Sequence, residues 1–199
     1  MAFPRLLAMS EVQWTQPEHK DFESFARRLD KEFERLDYCG VNACRNFYEV
    51  NQIGAWNKSQ QTYEVTLKTF CPDADIYYAV NDSTVNTSSS LYKTPIPLDE
   101  DATVYSAVYR DGKPLGKVTR KSFAVNKATG CDYTCNPEAG WEHLNKGFGL
   151  TDGRRGYARD MRRWISFYQD TVQIVVELKK PQKVKEVAFS SLWRPVNEI

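Results

Sequence analysis

One apolar ridge constrains this chain more than any other feature. Phe22, Phe25, Ala26, Leu29, Phe33 and Leu36 recur at spacings of three and four, the period of one face of an α-helix. Asp21, Glu23, Arg27, Arg28, Asp30, Lys31, Glu34 and Arg35 fill the other faces. Thr15-Gln16-Pro17-Glu18 has the pattern of a capping box, and Gly40 stands where a left-handed C-terminal cap belongs. Each large apolar side chain of the ridge gains roughly 1.5–3 kcal/mol on burial, so the helix needs a partner surface. Leu6, Leu7, Met9, Val12 and Trp14 supply only part of one. The ridge is therefore expected to lie against a larger body on its N-terminal side.

After residue 50 the period changes from helical to alternating. Tyr63 to Leu67 alternates, Ile76 to Val80 is apolar and aromatic, and Thr103 to Tyr109 is rich in β-branched and aromatic residues. Asp111-Gly112 signals a hairpin before Val118 to Val125. Asn81, Asp82, Ser83, Ser88 to Ser90, Pro95 and Pro97 punctuate these runs. Short strands at this spacing without helices between them predict a β-sandwich. Beyond Thr129-Gly130, read as the opening of a linker, glycines at 140, 147, 149, 153 and 156 mark a loop-rich stretch. Strands are expected at Trp164 to Tyr168, Val172 to Leu178 and Val184 to Phe189, too few to close a second sandwich. The expected fold class is mainly β with an N-terminal helical segment: an immunoglobulin- or fibronectin-like sandwich followed by a partial β domain. The expected divisions are residues 1–50, 51–127 and 128–199.

Charge removes several function classes. Lys and Arg number 27 against 26 Asp and Glu, a net charge of +1, which leaves no electrostatic footprint for nucleic acid. No run approaches the ~20 apolar residues of a membrane helix. Met1-Ala2-Phe3-Pro4-Arg5 lacks the apolar core of a secretion signal, and a start inside a longer gene product is expected. Five cysteines (Cys39, Cys44, Cys71, Cys131 and Cys135) do not make a disulfide framework. Cys131, Cys135 and His143 fit no standard zinc spacing; ordinary thiols or one local disulfide are expected, with no metal and no cofactor.

Several residues invite a chemical role, each with a plainer structural one. Asp99-Glu100 is an adjacent carboxylate pair, but it lies in a Pro97-to-Asp101 turn without apolar flanks to raise a carboxyl pKa. Glu11 is expected in a structural ion pair with Arg5, and Trp14 in packing. His19 and His143 have no serine and acid partners in a credible triad. Gly147-Phe148-Gly149 lacks the strand and helix that a phosphate loop needs. Arg154, Arg155, Arg159, Arg162 and Arg163 make either a solvated loop or a patch for an acidic glycan. Tyr77, Tyr105, Trp141, Trp164, Tyr168 and Trp193 are available to stack on sugar rings. No catalytic, cofactor-binding or metal-binding residue is nominated.

The ordered run Phe3-Pro4-Arg5-Leu6-Leu7-Ala8-Met9-Ser10-Glu11-Val12-Gln13-Trp14, then Phe33-Glu34-Arg35-Leu36 and Gly40-Val41-Asn42, resembles the end of the catalytic barrel in family 20 glycoside hydrolases. Ile76 to Asp82, Leu91-Tyr92, Pro95-Ile96 and Thr103 to Ala107 resemble the chitobiase-type C-terminal sandwich that follows it. Asp82 replaces a usual turn glycine and Val85 a usual proline, which bears on one loop. Leu150 to Gly153, Trp164, Val172 to Leu178, Pro181 and Val184 to Val187 resemble the opening of a discoidin-like (coagulation-factor type C) domain. In that fold calcium sits near an Asp-Gly loop that Asp152 would match, but the later ligands are not in this chain.

The resemblance implies a parent β-N-acetylhexosaminidase that removes terminal N-acetylhexosamine from glycans. Such enzymes use a carboxylic acid and the substrate's own acetamido oxygen, an exception to the two-carboxylate scheme. The acid and its neighbouring aspartate would lie upstream of Met1, so this chain is expected to be a non-catalytic C-terminal portion. The parent is expected to be secreted, periplasmic or on the surface of a bacterium. A stand-alone carbohydrate-binding or adhesion module, and a structural connector without ligands, are the alternatives.

Overall fold

The computed structural model describes residues 2–136, 149–153, 164, 165, 167 and 171–191. The chain is mainly β with an N-terminal helical segment, consistent with a fibronectin- or immunoglobulin-like sandwich. It forms two compact units that interleave along the sequence. The first holds Met1–Ile53, Thr66–Pro95 and Thr103–Lys121; the second holds Gly54–Val65, Ile96–Ala102 and Ser122–Ile199.

In the first unit, α1 (Arg5–Trp14) and α2 (Phe22–Tyr38) are separated by a 3-10 turn at Pro17–His19. The capping box does not start α2. Thr15 ends α1, its N–H donating to the Glu11 carbonyl, and the Asp21 carboxylate caps α2 by accepting from the Glu23 N–H at 2.9 Å. Pro17 fits a short 3-10 turn as well as a first helical turn, so Asp21, the nearer side-chain acceptor, takes the cap. At the other end Gly40 has φ +68°, and the Val41 and Gly40 N–H groups donate to the Leu36 and Asp37 carbonyls. That is the expected left-handed cap, in Schellman form.

The ridge is covered differently from the sequence expectation. Ala26, Leu29 and Phe33 are buried by the chain's own residues, and Phe25 and Leu36 are half-buried. Phe33 meets the rings of Phe47 and Tyr48 at 5.7 and 5.4 Å, both on the 3-10 turn Asn46–Tyr48. Only Phe22, at the N-terminal end of α2, stays mostly exposed, edge-on to Phe70 at 5.6 Å. No larger body is needed for the middle of the ridge, because an aromatic pair just downstream supplies the apolar surface.

Ten strands follow. β1 (Asn51–Asn57), β2 (Thr62–Lys68) and β5 (Ile96–Leu98) form one sheet in the order β1-β2-β5. The boundary between the units falls within β1 and within β2. β3 (Asp75–Val80), β4 (Ser90–Leu91), β6 (Ala102–Arg110) and β7 (Lys113–Pro114) form another in the order β4-β3-β6-β7, and β8 (Thr119–Phe123) also pairs with β6. β3 and β6 are antiparallel over six residue pairs, from Asp75 opposite Tyr109 to Val80 opposite Val104. On β2 the alternation seen in the sequence becomes burial of Tyr63, Val65 and Leu67. Asp111 and Gly112 both have positive φ, with Arg110 opposite Lys113, so the hairpin forms over two residues as expected.

In the second unit β9 (Asp132–Asn136) pairs antiparallel with β10 (Gln173–Glu177). β10 lies inside the strand expected at Val172 to Leu178; β9 has no counterpart among the expectations. Val184 to Phe189 forms no strand: it is exposed, and no neighbouring backbone pairs with it among the described residues. Trp164, Ile165 and Phe167 also lie outside any strand, and residues 166 and 168 fall outside the described residues. Thr129 and Gly130 are buried in a turn rather than opening a solvated linker.

Candidate functional site

Two features of the described residues stand out. The first is α1, which has no buried residue. Leu6, Met9 and Val12, three residues apart, are 45%, 56% and 61% exposed, and Trp14 is 87% exposed. Trp14, expected to pack against a barrel, has no substantial cover among the described residues. The helix is held to α2 by charge: Arg28 donates through Nη1 and Nη2 to both Glu11 carboxylate oxygens, at 2.9 and 2.7 Å. The Arg28 hydrogen bond holds the Glu11 carboxyl below the ordinary glutamate range. Glu11 thus forms the expected structural ion pair, but with Arg28 instead of Arg5; the helix-turn-helix brings position 28 beside position 11, and local spacing does not reveal that.

The second feature is a cavity of about 320 Å³ within the second unit. Its organising residue is Trp56, near the end of β1. Gly130, with φ +73°, lies flat against the indole: a Cβ there would stand 2.1 Å from Cε2. The turn that presents Gly130 is tied by Thr129 Oγ1, which accepts from the Asn126 N–H, and by the Gly130 N–H, which donates to the Thr151 carbonyl at 2.7 Å. The Lys179 ammonium lies 4.7 Å from the Trp56 ring centroid and also donates to Gln61 Oε1. The indole N–H of Trp56 is buried and meets no acceptor among the described residues. Sequence reasoning passed over Trp56, because Gln52-Ile53-Gly54-Ala55-Trp56 is only weakly apolar. The available signal was the alternation of Gln52, Gly54 and Trp56 ahead of the Lys58-to-Gln61 turn.

The residues nominated from the sequence are scattered. Asp99 and Glu100 are exposed in the bend after β5, as the turn reading requires. Tyr77 stands edge-on to Tyr109 at 5.3 Å within a cluster around Val85 and Ala107, and is half-buried there. Tyr105 is half-buried, with the Arg120 guanidinium 6.0 Å from its ring centre. Val85 is buried, and its carbonyl accepts from the Tyr109 hydroxyl at 3.0 Å, so the loop around Val85 is anchored. The five cysteines are free thiols, with Cys71 and Cys131 buried. Trp141, His143, Tyr168, Trp193, Gly147, Phe148 and the arginines at 154, 155, 159, 162 and 163 lie outside the described residues. No described helix is long and apolar enough to cross a membrane.

Residues 65–123 match the family model described as Fn3 associated. A stretch of 41 residues, 21% of this chain, is 54% identical to a Beta-hexosaminidase of Porphyromonas gingivalis. That stretch covers 5% of the relative's length. Together with the β-rich architecture, these matches support a glycosidase-associated accessory domain.

Proposed function

We propose that the chain is a non-catalytic portion of a β-N-acetylhexosaminidase of the family 20 type, which removes terminal N-acetylhexosamine from glycans. Residues 1–50 are the last turn of its catalytic barrel, residues 51–127 a chitobiase-type sandwich, and residues 128–199 part of a discoidin-like domain. The parent enzyme acts outside the cell or at its surface, on glycans containing N-acetylhexosamine. The observation that carries this reading is the bare face of α1. Leu6, Met9 and Val12 expose large apolar side chains on a helix with no buried residue among those described. Exposed apolar side chains repeating along one side of a helix, as Leu6, Met9 and Val12 do, suit an interaction surface, and the barrel is the body that this reading puts against it.

The test is direct. The purified chain is incubated with a chromogenic N-acetyl-β-glucosaminide. No turnover above a heat-treated control is expected, and turnover would overturn the accessory reading. Sequencing the DNA upstream of Met1 tests the barrel assignment: an open frame that continues into barrel strands supports it, and an in-frame stop overturns it.

A further inference from the structure

We propose that the Trp56 cavity of the second unit binds an acidic sugar through its carboxylate. The charge balance points to an anion. Lys127, Lys179 and Lys180 line the cavity, and Asp99 is the one carboxylate among its lining residues. None of the three lysines is ion-paired among the described residues. Lys127 donates to the Lys183 carbonyl, and Lys179 to the Gln61 amide while lying over the Trp56 ring. Neutral dipoles orient these ammonium groups without cancelling their charge, so the concave wall keeps a positive potential that concentrates anions.

The remaining chemistry suits hydroxyl groups. Gln61, Asn126 and Gln182 present amides, and Thr62 presents a hydroxyl. The Trp56 indole N–H is buried in the wall and meets no acceptor among the described residues, so its resonance reports on that wall. A volume of about 320 Å³ lies at the small end of ligand sites, room for one monosaccharide. The Trp56 ring itself is not a stacking platform, since Gly130 lies flat against it and Lys179 lies over it. Recognition is therefore by charge and hydrogen bonds at the sugar's acidic end. A uronic acid has that combination: one carboxylate and a ring of hydroxyls.

This inference rests on the glycan reading above, yet its test is independent of the turnover assay. The full chain is titrated with glucuronate at low ionic strength while the Trp56 indole N–H signal is followed by NMR, assigned with Trp56→Phe. Glucuronate is expected to move that signal, and glucose at the same concentrations to leave it in place. Lys179→Gln with Lys180→Gln is expected to weaken glucuronate binding about tenfold, as is raised salt. Both lysines are exposed, so the variant keeps its fold, which its unchanged amide spectrum verifies. An unmoved indole signal, or an equal response to glucose, overturns the proposal. An equal response to acetate overturns its sugar part. A chain that fails here and still shows no turnover leaves the accessory reading intact.

Discussion

Arg110 reaches from the end of β6 to Asp30 in the middle of α2, its Nη1 donating to Oδ2 at 2.5 Å. The same guanidinium donates through Nη2 to the Pro72 carbonyl at 2.9 Å and to Cys71 Sγ at 3.1 Å. Asp30 also accepts from the Tyr48 hydroxyl at 2.7 Å. Side chains from a helix, a 3-10 turn, a loop and a strand thus converge on one ion pair, whose members are only 28% and 19% exposed. Asp30 needs both donors, because a carboxylate at this depth has little water to fall back on.

Arg110→Met is expected to cost about 3 kcal/mol, because it strands the Asp30 carboxylate rather than merely removing an attraction. Adding Asp30→Leu should recover much of that loss, since the charge needing a partner is gone. Urea unfolding of the single and double variants checks both. A loss below about 1 kcal/mol for Arg110→Met would place the pair with ordinary surface bridges.

Cys71 gives a pH prediction. Burial pushes its thiol up to about 11, and the nearby Arg110 charge only partly offsets that. The native state therefore holds this proton at pH values where the unfolded chain, at ~8.5, has lost it. Its contribution to stability is complete below the unfolded value and is lost as pH rises through about 11. Alkylation near neutral pH should modify exposed Cys39 first and Cys71 far more slowly. Peptide mapping over time checks the order; rapid labelling of Cys71 would refute it.

These two residues also show how far the sequence could be read. The period of three and four located α2 and its buried side, and it placed Asp30 among the charges of the other faces. Asp30 does leave the ridge, but only far enough to meet Arg110, 80 positions away. Strand β2 was legible because alternation encodes one buried face, and β3 and β6 because their runs are rich in β-branched and aromatic residues. β1 was not, since Gly54 and Gln52 are both buried on it. Gln52 is paired by Nε2 to Ser106 at 2.7 Å, a polar core contact with no apolar signature. The cavity was illegible for a related reason: Trp56, Gly130 and Lys179 come together only through the fold.

Gly130 and Gly40 share a left-handed backbone but not a neighbourhood. A side chain at Gly40 meets nothing within 4 Å, so Gly40→Ala should cost only the backbone strain, about 1 kcal/mol. Gly130→Ala adds a methyl group into the Trp56 ring, and should cost on the order of 3 kcal/mol. Near-UV circular dichroism should change for Gly130→Ala alone, because only there does an indole have to move. Equal losses for the two variants would mean that the close approach to Trp56 is not maintained in solution.

The two helices should answer differently to truncation, and the contrast bears on the proposed barrel contact. Phe33 is 1% exposed against Phe47 and Tyr48, so Phe33→Ala should cost about 3–4 kcal/mol in this chain alone. Val12 is 61% exposed, and Val12→Ser should stay within about 0.5 kcal/mol. Serine at Leu6, Met9 and Val12 together should raise the concentration at which the isolated chain aggregates, because the apolar patch that drives association is gone. In a longer polypeptide carrying the barrel, the same three serines should become destabilising, since each apolar side chain would then be lost from an interface. Urea midpoints of both polypeptides, with and without the serines, make the comparison. Equal tolerance in the two would mean that α1 keeps its bare face in the parent and that the barrel does not rest on it.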